Sequence, residues 1–403
     1  MQRSCFLCNG DGETLRSARW SLPHLEAHDI GFGLCARCGL AMQTESVTPN
    51  EMTRYYCESA VYTNPGRAGR PAQGKIRGVQ RAIDMVEAGL GHAARSVFQV
   101  GSSDGYTLSR FREAGAETVQ GVDPSSASCE LARERYGVDT MLGVVEDIEL
   151  PKGIEMFVLT HVLEHLYDPL DVMARIRAVQ EAGDWVLVEV PLLEQVERFP
   201  PSYLTFEHLN YFDESSLVHL LTRAGFVAEA IEKSYSEDLY PIIRVLASAS
   251  EREMGCGMPP EGAVTLTRER VLQHMARERC SWARVEARVR AELDPGTRVW
   301  LWGAGIHSSQ MLAQTGLEEY LDLQGLVDSS PIRHGQSFGD YQIHDPQSVD
   351  LRDGCAIVIS SHAAEHEIWK ALADERTAGV RVVRLYADPE EPTTESRERQ
   401  EVA

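Results

Sequence analysis

Apolar runs alternate with glycine-bearing turns in two separate stretches of this 403-residue chain. The first opens at Ser96-Val-Phe-Gln-Val100, breaks into Gly101-Ser-Ser-Asp-Gly105 and resumes as helical sequence. Short apolar runs bounded by turn residues suit parallel strands covered on both faces. A second strand ends in the acid of Gly121-Val-Asp-Pro124, and the runs Met156–Thr160 and Trp185–Pro191 continue the pattern to a helix ending at Ala224-Gly-Phe226. The second stretch, Gly296-Thr-Arg-Val-Trp-Leu-Trp-Gly-Ala-Gly-Ile-His307, again reads as strand, glycine turn and helix. It is followed by a strand end at Gly325-Leu-Val-Asp-Ser329 and a buried-strand run at Cys355–Ser361. Helices are predicted around residues 74–88 and, from an Arg/Glu-rich pattern, over 262–292. The fold class expected is α/β, with two Rossmann-like units.

The first glycine turn carries a chemical signature. Gly101 and Gly105 permit a sharp turn and close approach of backbone to a ligand, and an acid about 20 residues on, Asp123, is placed to receive two ribose hydroxyls. A dinucleotide loop would read G-x-G-x-x-G so that a pyrophosphate could sit on the helix N-terminus. Here Ser102 and Ser103 stand between glycines four apart, which suits an adenosine-type ligand without phosphates.

Cys5-Phe-Leu-Cys8 and Cys35-Ala-Arg-Cys38 form two C-x-x-C pairs. Four thiolates so spaced can close a tetrahedral shell around zinc, and a shell filled by protein is structural. The alternative, two structural disulfides, needs an oxidising compartment that nothing else in the sequence suggests. Composition allows ample core for two or three domains, at 43% apolar and 25% charged residues. A formal net charge of −22 opposes nucleic acid as a partner. With no apolar run long enough to span a membrane, the expected location is the cytoplasm.

In order, the loop Gln99–Gly105, Gly121-Val-Asp-Pro124, Glu146-Asp-Ile148, the stretch Met156 to Pro169, Trp185–Pro191 and Glu207-His-Leu-Asn-Tyr-Phe212 resemble the class I S-adenosylmethionine (SAM) methyltransferases over about residues 94 to 245. The resemblance implies that Gln99, Gly101, Ser102, Ser103, Gly105, Asp123, Pro124, Glu146, Asp147 and Thr160 hold SAM. Members usually carry an acid where this chain has Gln99, so a charge that would attract the cofactor's ammonium is replaced by an amide.

The order of zinc module, methyltransferase core and second Rossmann-like unit is similar to the sugar nucleotide C-methyltransferases of deoxysugar and antibiotic pathways. That likeness implies a small-molecule acceptor, extending to a nucleotide-linked keto sugar, with a base near the Tyr-x-Glu-His segment. Here the segment reads Thr205-Phe-Glu-His208, so Phe206 lacks the expected hydroxyl. His208 is the first choice of base, Glu207 orients it or acts itself, and His161 lies at the carboxyl edge of the sheet where ligands bind. His165 and Glu164 read as the exposed opening of a helix. Open alternatives are O- or N-methylation of another metabolite, a dinucleotide-dependent enzyme built on Gly303, Gly305 and Asp328, or a scaffold with a vestigial SAM site. The expected layout is a zinc module (1–50), a helical connector or lid bearing Tyr55, Tyr56 and Tyr62 (51–93), the SAM-binding domain (94–247), a helical linker (248–295), the C-terminal Rossmann-like domain (296–389) and a disordered tail (390–403). The protein is expected to be a monomer or homodimer.

Overall fold

The computed structural model describes residues 1–22, 24–58, 71, 73–199, 203–235, 241–250, 262–351, 354–362 and 364–386. Tyr62 and the expected tail lie outside them. The described residues fall into two units: Met1–Arg19 with His28–Glu278, and Trp20–Ala27 with the described part of Arg279–Ala403.

The first unit is built on a seven-stranded sheet in the order Phe226–Ser234, Ile242–Ala249, Trp185–Pro191, Met156–Thr160, Ser96–Val100, Thr118–Asp123 and Thr140–Leu142. The last five run parallel to one another, and Ile242–Ala249 is antiparallel to both of its neighbours. The strand residues explain why the sheet is covered on both sides. Phe98, Val100, Phe157, Leu159, Val186 and Val188 pack into one apolar cluster, whereas their chain neighbours Val97, Met156, Val158 and Leu187 pack into another, the alternation that a pleated strand imposes.

Helices close each face. Val79, Ala82, Ile83 and Val86 of helix Gln73–Leu90 form one apolar stripe at helical spacing against the second cluster. Leu217, Leu220 and Leu221 of helix Glu214–Arg223 join the first cluster, and Asp213 caps that helix by accepting from the Ser216 amide at 2.8 Å. From Ser96–Val100 the chain steps outward to one edge of the sheet, then returns to Met156–Thr160 on the other side. This reversal is a topological switch point, where parallel sheets open a crevice beyond the strands' carboxyl ends.

A smaller sheet, in the order Gly12–Trp20, His28–Cys35, Ala41–Glu45 and Asn210–Tyr211, ties the N-terminal segment to the chain after the core strands. Gln43 donates from Nε2 to the carbonyls of Thr205, Phe206 and His208, at 3.0 Å each. A single buried amide thereby fixes the 205–208 turn.

In the second unit, a six-stranded sheet runs in the order Ser337–Phe338, Tyr341–His344, Asp322–Val327, Arg298–Trp302, Ala356–Ile359 and Val382–Arg384. It is parallel except for the pairing of Ser337–Phe338 with Tyr341–His344. The segment near Leu22 belongs to this unit, with the His24 amide donating to the Ser337 carbonyl at 3.0 Å and the Gly339 amide to that of Leu22 at 3.1 Å. The α/β class is as expected. The predicted 262–292 helix is present as Ala263–Glu292, and no described helix is long and apolar enough to cross a membrane.

Gly105 starts helix Tyr106–Glu113 with φ of 76°, and a Cβ there would stand 2.7 Å from that of Ala132. Gly105→Ala is expected to lower the unfolding free energy by roughly 2–4 kcal/mol, through left-handed strain and overpacking together. Denaturant unfolding measures this, and an unchanged midpoint would contradict the placement of the helix start.

Candidate active site

The loop after Ser96–Val100 is held by its own backbone and by the next strand. The Ser102 amide donates to the Val122 carbonyl and the Gly105 amide to that of Ser102, both at 3.0 Å. Gly101 sits at φ 66°, and a Cβ on it would meet Cγ2 of Val162 at 2.6 Å, so the loop can pass this close to the neighbouring strand's turn only without a side chain. Asp123 receives the Ser103 amide at 2.7 Å on one carboxylate oxygen and the Ser125 amide at 2.9 Å on the other. Burial raises its pKa despite those amides.

A cleft of about 630 Å³ opens at the switch point. Gly101, Ser103, Asp123 and Pro124 line it on one side; Glu146, Asp147, Thr160 and His161 line it farther along. Gln99, Ser102 and Gly105 are not among the lining residues. They build the wall from behind: Gln99 is buried and donates to the Thr160 hydroxyl at 3.2 Å, Ser102 is buried under the loop, and Gly105 begins the helix.

Helix Pro49–Glu58 supplies residues from the segment read as a connector or lid. Met52, Thr53 and Tyr56 line the cleft, and the Tyr56 hydroxyl lies 3.0 Å from Nδ1 of His165. Beside it the Tyr55 hydroxyl donates to Glu207 at 2.6 Å and its ring meets Phe206 edge-on at 4.9 Å between centroids. A phenol thus stands next to the Phe-Glu-His segment although the segment itself lacks one.

The stretch read as an exposed helix opening is different in the structure. Leu163–His165 is a single 3-10 turn, Glu164 is 1% exposed and His165 lines the cleft. The physical cause lies more than 40 residues on in the chain: Asn210 donates to the carbonyls of Leu163 and Leu166 at 3.2 and 2.7 Å, and the Leu209 amide to that of Glu164 at 2.7 Å. This later segment covers the turn.

His161 adopts a left-handed backbone at φ 55° and stands between two buried acids. Its Nδ1 is 3.4 Å from Glu164 and its Nε2 is 3.3 Å from Glu189. Burial alone would raise both carboxyls, but hydrogen bonding and charge from His161, with His165 beside Glu164 and Arg244 beside Glu189, hold both below the usual carboxylate value. Arg244, itself buried, pairs with Glu189 and reaches Glu232 at 2.7 Å. Glu207 and His208 are buried and are not among the cleft's lining residues. The His208 ring packs 5.0 Å from that of His165, and burial pushes its pKa down to about 3.

The four cysteines converge. Sγ of Cys5 lies 3.4 Å from that of Cys38, and Sγ of Cys8 lies 3.4 Å from that of Cys35. All four sulfurs fall within 4.8 Å of one another, and all four thiols are free of disulfides. Zinc–sulfur bonds of about 2.3 Å place tetrahedral sulfurs ~3.8 Å apart, so the set fits a zinc ion.

Residues 75–231 match the family model described as a methyltransferase domain. A curated relative, the tRNA U34 carboxymethyltransferase of Dichelobacter nodosus (strain VCS1703A), is 27% identical over 168 residues, 38% of this chain and 54% of that protein. The chain therefore spans about half the length of this curated relative. Among solved structures, the magnesium protoporphyrin IX methyltransferase of Synechocystis PCC 6803 overlaps with a TM-score of 0.41 at 14% identity, covering 50% of this chain and 100% of that one. The 1,6-didemethyltoxoflavin-N1-methyltransferase of Burkholderia thailandensis overlaps with a TM-score of 0.42 at 17% identity, covering 57% and 100%. From the matched family and the order of its strands, residues 75–231 of this chain are a methyltransferase domain of the class I, SAM-dependent kind.

Proposed function

We propose that the protein transfers the methyl group of SAM to a small-molecule acceptor, and that the acceptor is a nucleotide-linked keto sugar methylated on carbon. The observation that carries the reading is one cleft lined both by the glycine loop with Asp123 and by His161, His165 and Tyr56. In this reading Asp123 accepts from the ribose hydroxyls with the lone pairs left over from its two amide bonds, and the loop from Gly101 to Ser103 meets the methionine end. A net charge of −22 favours a small acceptor over an RNA backbone.

Methyl transfer to carbon needs three things of the protein: alignment, a base and a donor for the enolate oxygen. The base takes a proton from the carbon beside the carbonyl. The electron pair so released attacks the methyl carbon, and the carbon–sulfur bond breaks with its electrons remaining on sulfur, which leaves S-adenosylhomocysteine. Of the three residues expected to be catalytic, His161 lines the cleft, and two carboxylates stand ready to stabilise its imidazolium, so it is the proposed base. The Tyr56 hydroxyl is the proposed donor, replacing the one that Phe206 lacks. Glu207 and His208 act from behind as positioning residues, through Tyr55 and His165.

We further propose that Cys5, Cys8, Cys35 and Cys38 hold a structural zinc. Strand Ala41–Glu45 leaves the second cysteine pair and carries Gln43, so the ion's effect reaches the 205–208 turn.

Three outcomes are expected. Asp123→Asn, which keeps the shape but loses the charge, should weaken S-adenosylhomocysteine binding by about 10- to 100-fold in calorimetry, because buried hydroxyls lose a charged acceptor; unchanged affinity would remove Asp123 from the ribose. His161→Ala should slow turnover with a nucleotide-linked keto sugar by about 100-fold while the SAM dissociation constant stays within about threefold. With S-adenosylhomocysteine bound and deuterium oxide as solvent, the wild-type protein should exchange the acceptor's α-proton and the variant should not. Methylation without exchange would point to oxygen or nitrogen instead. Finally, Cys38→Ser should remove one zinc per chain by elemental analysis and lower stability by several kcal/mol; full stability without zinc would sink the structural role.

A further inference from the structure

Beside the cleft lies a second group of metal-ligating side chains, well away in sequence from the cysteines. We propose that Glu164, His165 and His208 form a site for a divalent transition-metal ion, zinc or iron(II), at the acceptor side of the cleft. Donor atoms of the three residues lie within 4.8 Å of one another. Metal–ligand bonds of about 2.0–2.2 Å set tetrahedral donors ~3.3 Å apart. Small side-chain rotations of about an ångström close that gap.

Three features of the site call for a cation. First, Glu164 is 1% exposed and is faced by the imidazoles of His161 at 3.4 Å and His165 at 3.9 Å, but neither of its carboxylate oxygens completes a hydrogen bond of good geometry. A buried carboxylate is costly unless a positive centre faces it. Second, Nδ1 of His165 is engaged on its far side, 3.0 Å from the Glu207 carbonyl and 3.0 Å from the Tyr56 hydroxyl. A carbonyl acceptor there assigns the proton to Nδ1 and leaves the Nε2 lone pair facing the Glu164 carboxylate at 3.9 Å. That outer contact is the kind that orients metal-bound histidines. Third, Nδ1 of His208 is buried without a partner.

Two imidazoles and one carboxylate make the donor set of catalytic zinc and of non-haem iron(II), and it is poor in the oxygen ligands that magnesium or calcium requires. Three protein ligands leave positions open, unlike the closed shell of the four cysteines. His165 lines the cleft, so the open positions face the space where an acceptor oxygen can complete the shell. The role in binding the acceptor oxygen rests on the methyl-transfer reading; the ion site itself does not.

The test uses the full chain with its cysteine site loaded with zinc, titrated with cobalt(II) under anaerobic conditions. Wild type is expected to take up one further equivalent per chain, with weak visible bands and no thiolate-to-cobalt charge-transfer absorption. Glu164→Gln and His208→Gln should each weaken that uptake by about 100-fold, and Tyr56→Phe, which removes only the outer hydroxyl, by about 10-fold. Retention of the cysteine-bound zinc shows that a variant is folded, and if either ligand variant fails that check the tyrosine variant decides. No uptake by wild type, or uptake equal in wild type and every folded variant, overturns the site. Calorimetry with S-adenosylhomocysteine separates the two readings: cobalt bound without the nucleoside defeats the methyl-transfer reading alone, and the reverse defeats the metal site alone.

Discussion

The Asp123 carboxylate joins two turns, adding to the backbone bond from the Ser102 amide to the Val122 carbonyl. Accepting from the Ser103 and Ser125 amides, it fixes the glycine loop after one strand to the helix start after the next. The cleft opens beside these joined turns, at the point where strand order reverses, between Ser96–Val100 and Met156–Thr160. On its other side the loop passes close to Val162, whose methyl group would stand 2.6 Å from a Cβ on residue 101. The same acid therefore serves the fold and, in the proposed reading, the ligand.

A second constraint comes from the N-terminal segment. The cysteine pairs bracket strand His28–Cys35 and lead into Ala41–Glu45, whose Gln43 holds three carbonyls of the 205–208 turn. Arg3 adds bonds to the carbonyls of Gln43 and Leu209 and to the Asn210 side chain. Backbone groups of a buried turn must find partners, and here the first 45 residues provide those of the Thr205, Phe206 and His208 carbonyls. The turn in turn places Glu207 against Tyr55 and His208 against His165. In this way a module with no lining residue of its own before Pro49 shapes the far side of the cleft.

What could be read from the sequence was what depends on neighbours along the chain. The glycine loop, Asp123 and the paired cysteines are short motifs whose chemistry follows from spacing, and the core strands declare themselves by unbroken apolar runs such as Met156–Leu159. Partners contributed from afar were hidden. Glu164 and His165 looked solvent-facing because nothing near them indicates that Leu209 and Asn210 fold over the turn. The His161–Glu189–Arg244 chain joins three strands or strand ends, and Tyr56 enters from a helix more than 100 residues earlier than its His165 partner. The pairing of Leu22 and His24 with Gly339 and Ser337 in the second unit has no local signature either.

The central claim is that the glycine loop and Asp123 receive the nucleoside of SAM, with its sulfur directed toward His161 and His165. A crystal structure of the protein with S-adenosylhomocysteine tests it most directly. The account predicts both ribose hydroxyls within hydrogen-bond distance of the Asp123 carboxylate and the sulfur facing the His161 side of the cleft. A nucleoside bound elsewhere, or a ribose that leaves Asp123 untouched, would contradict it.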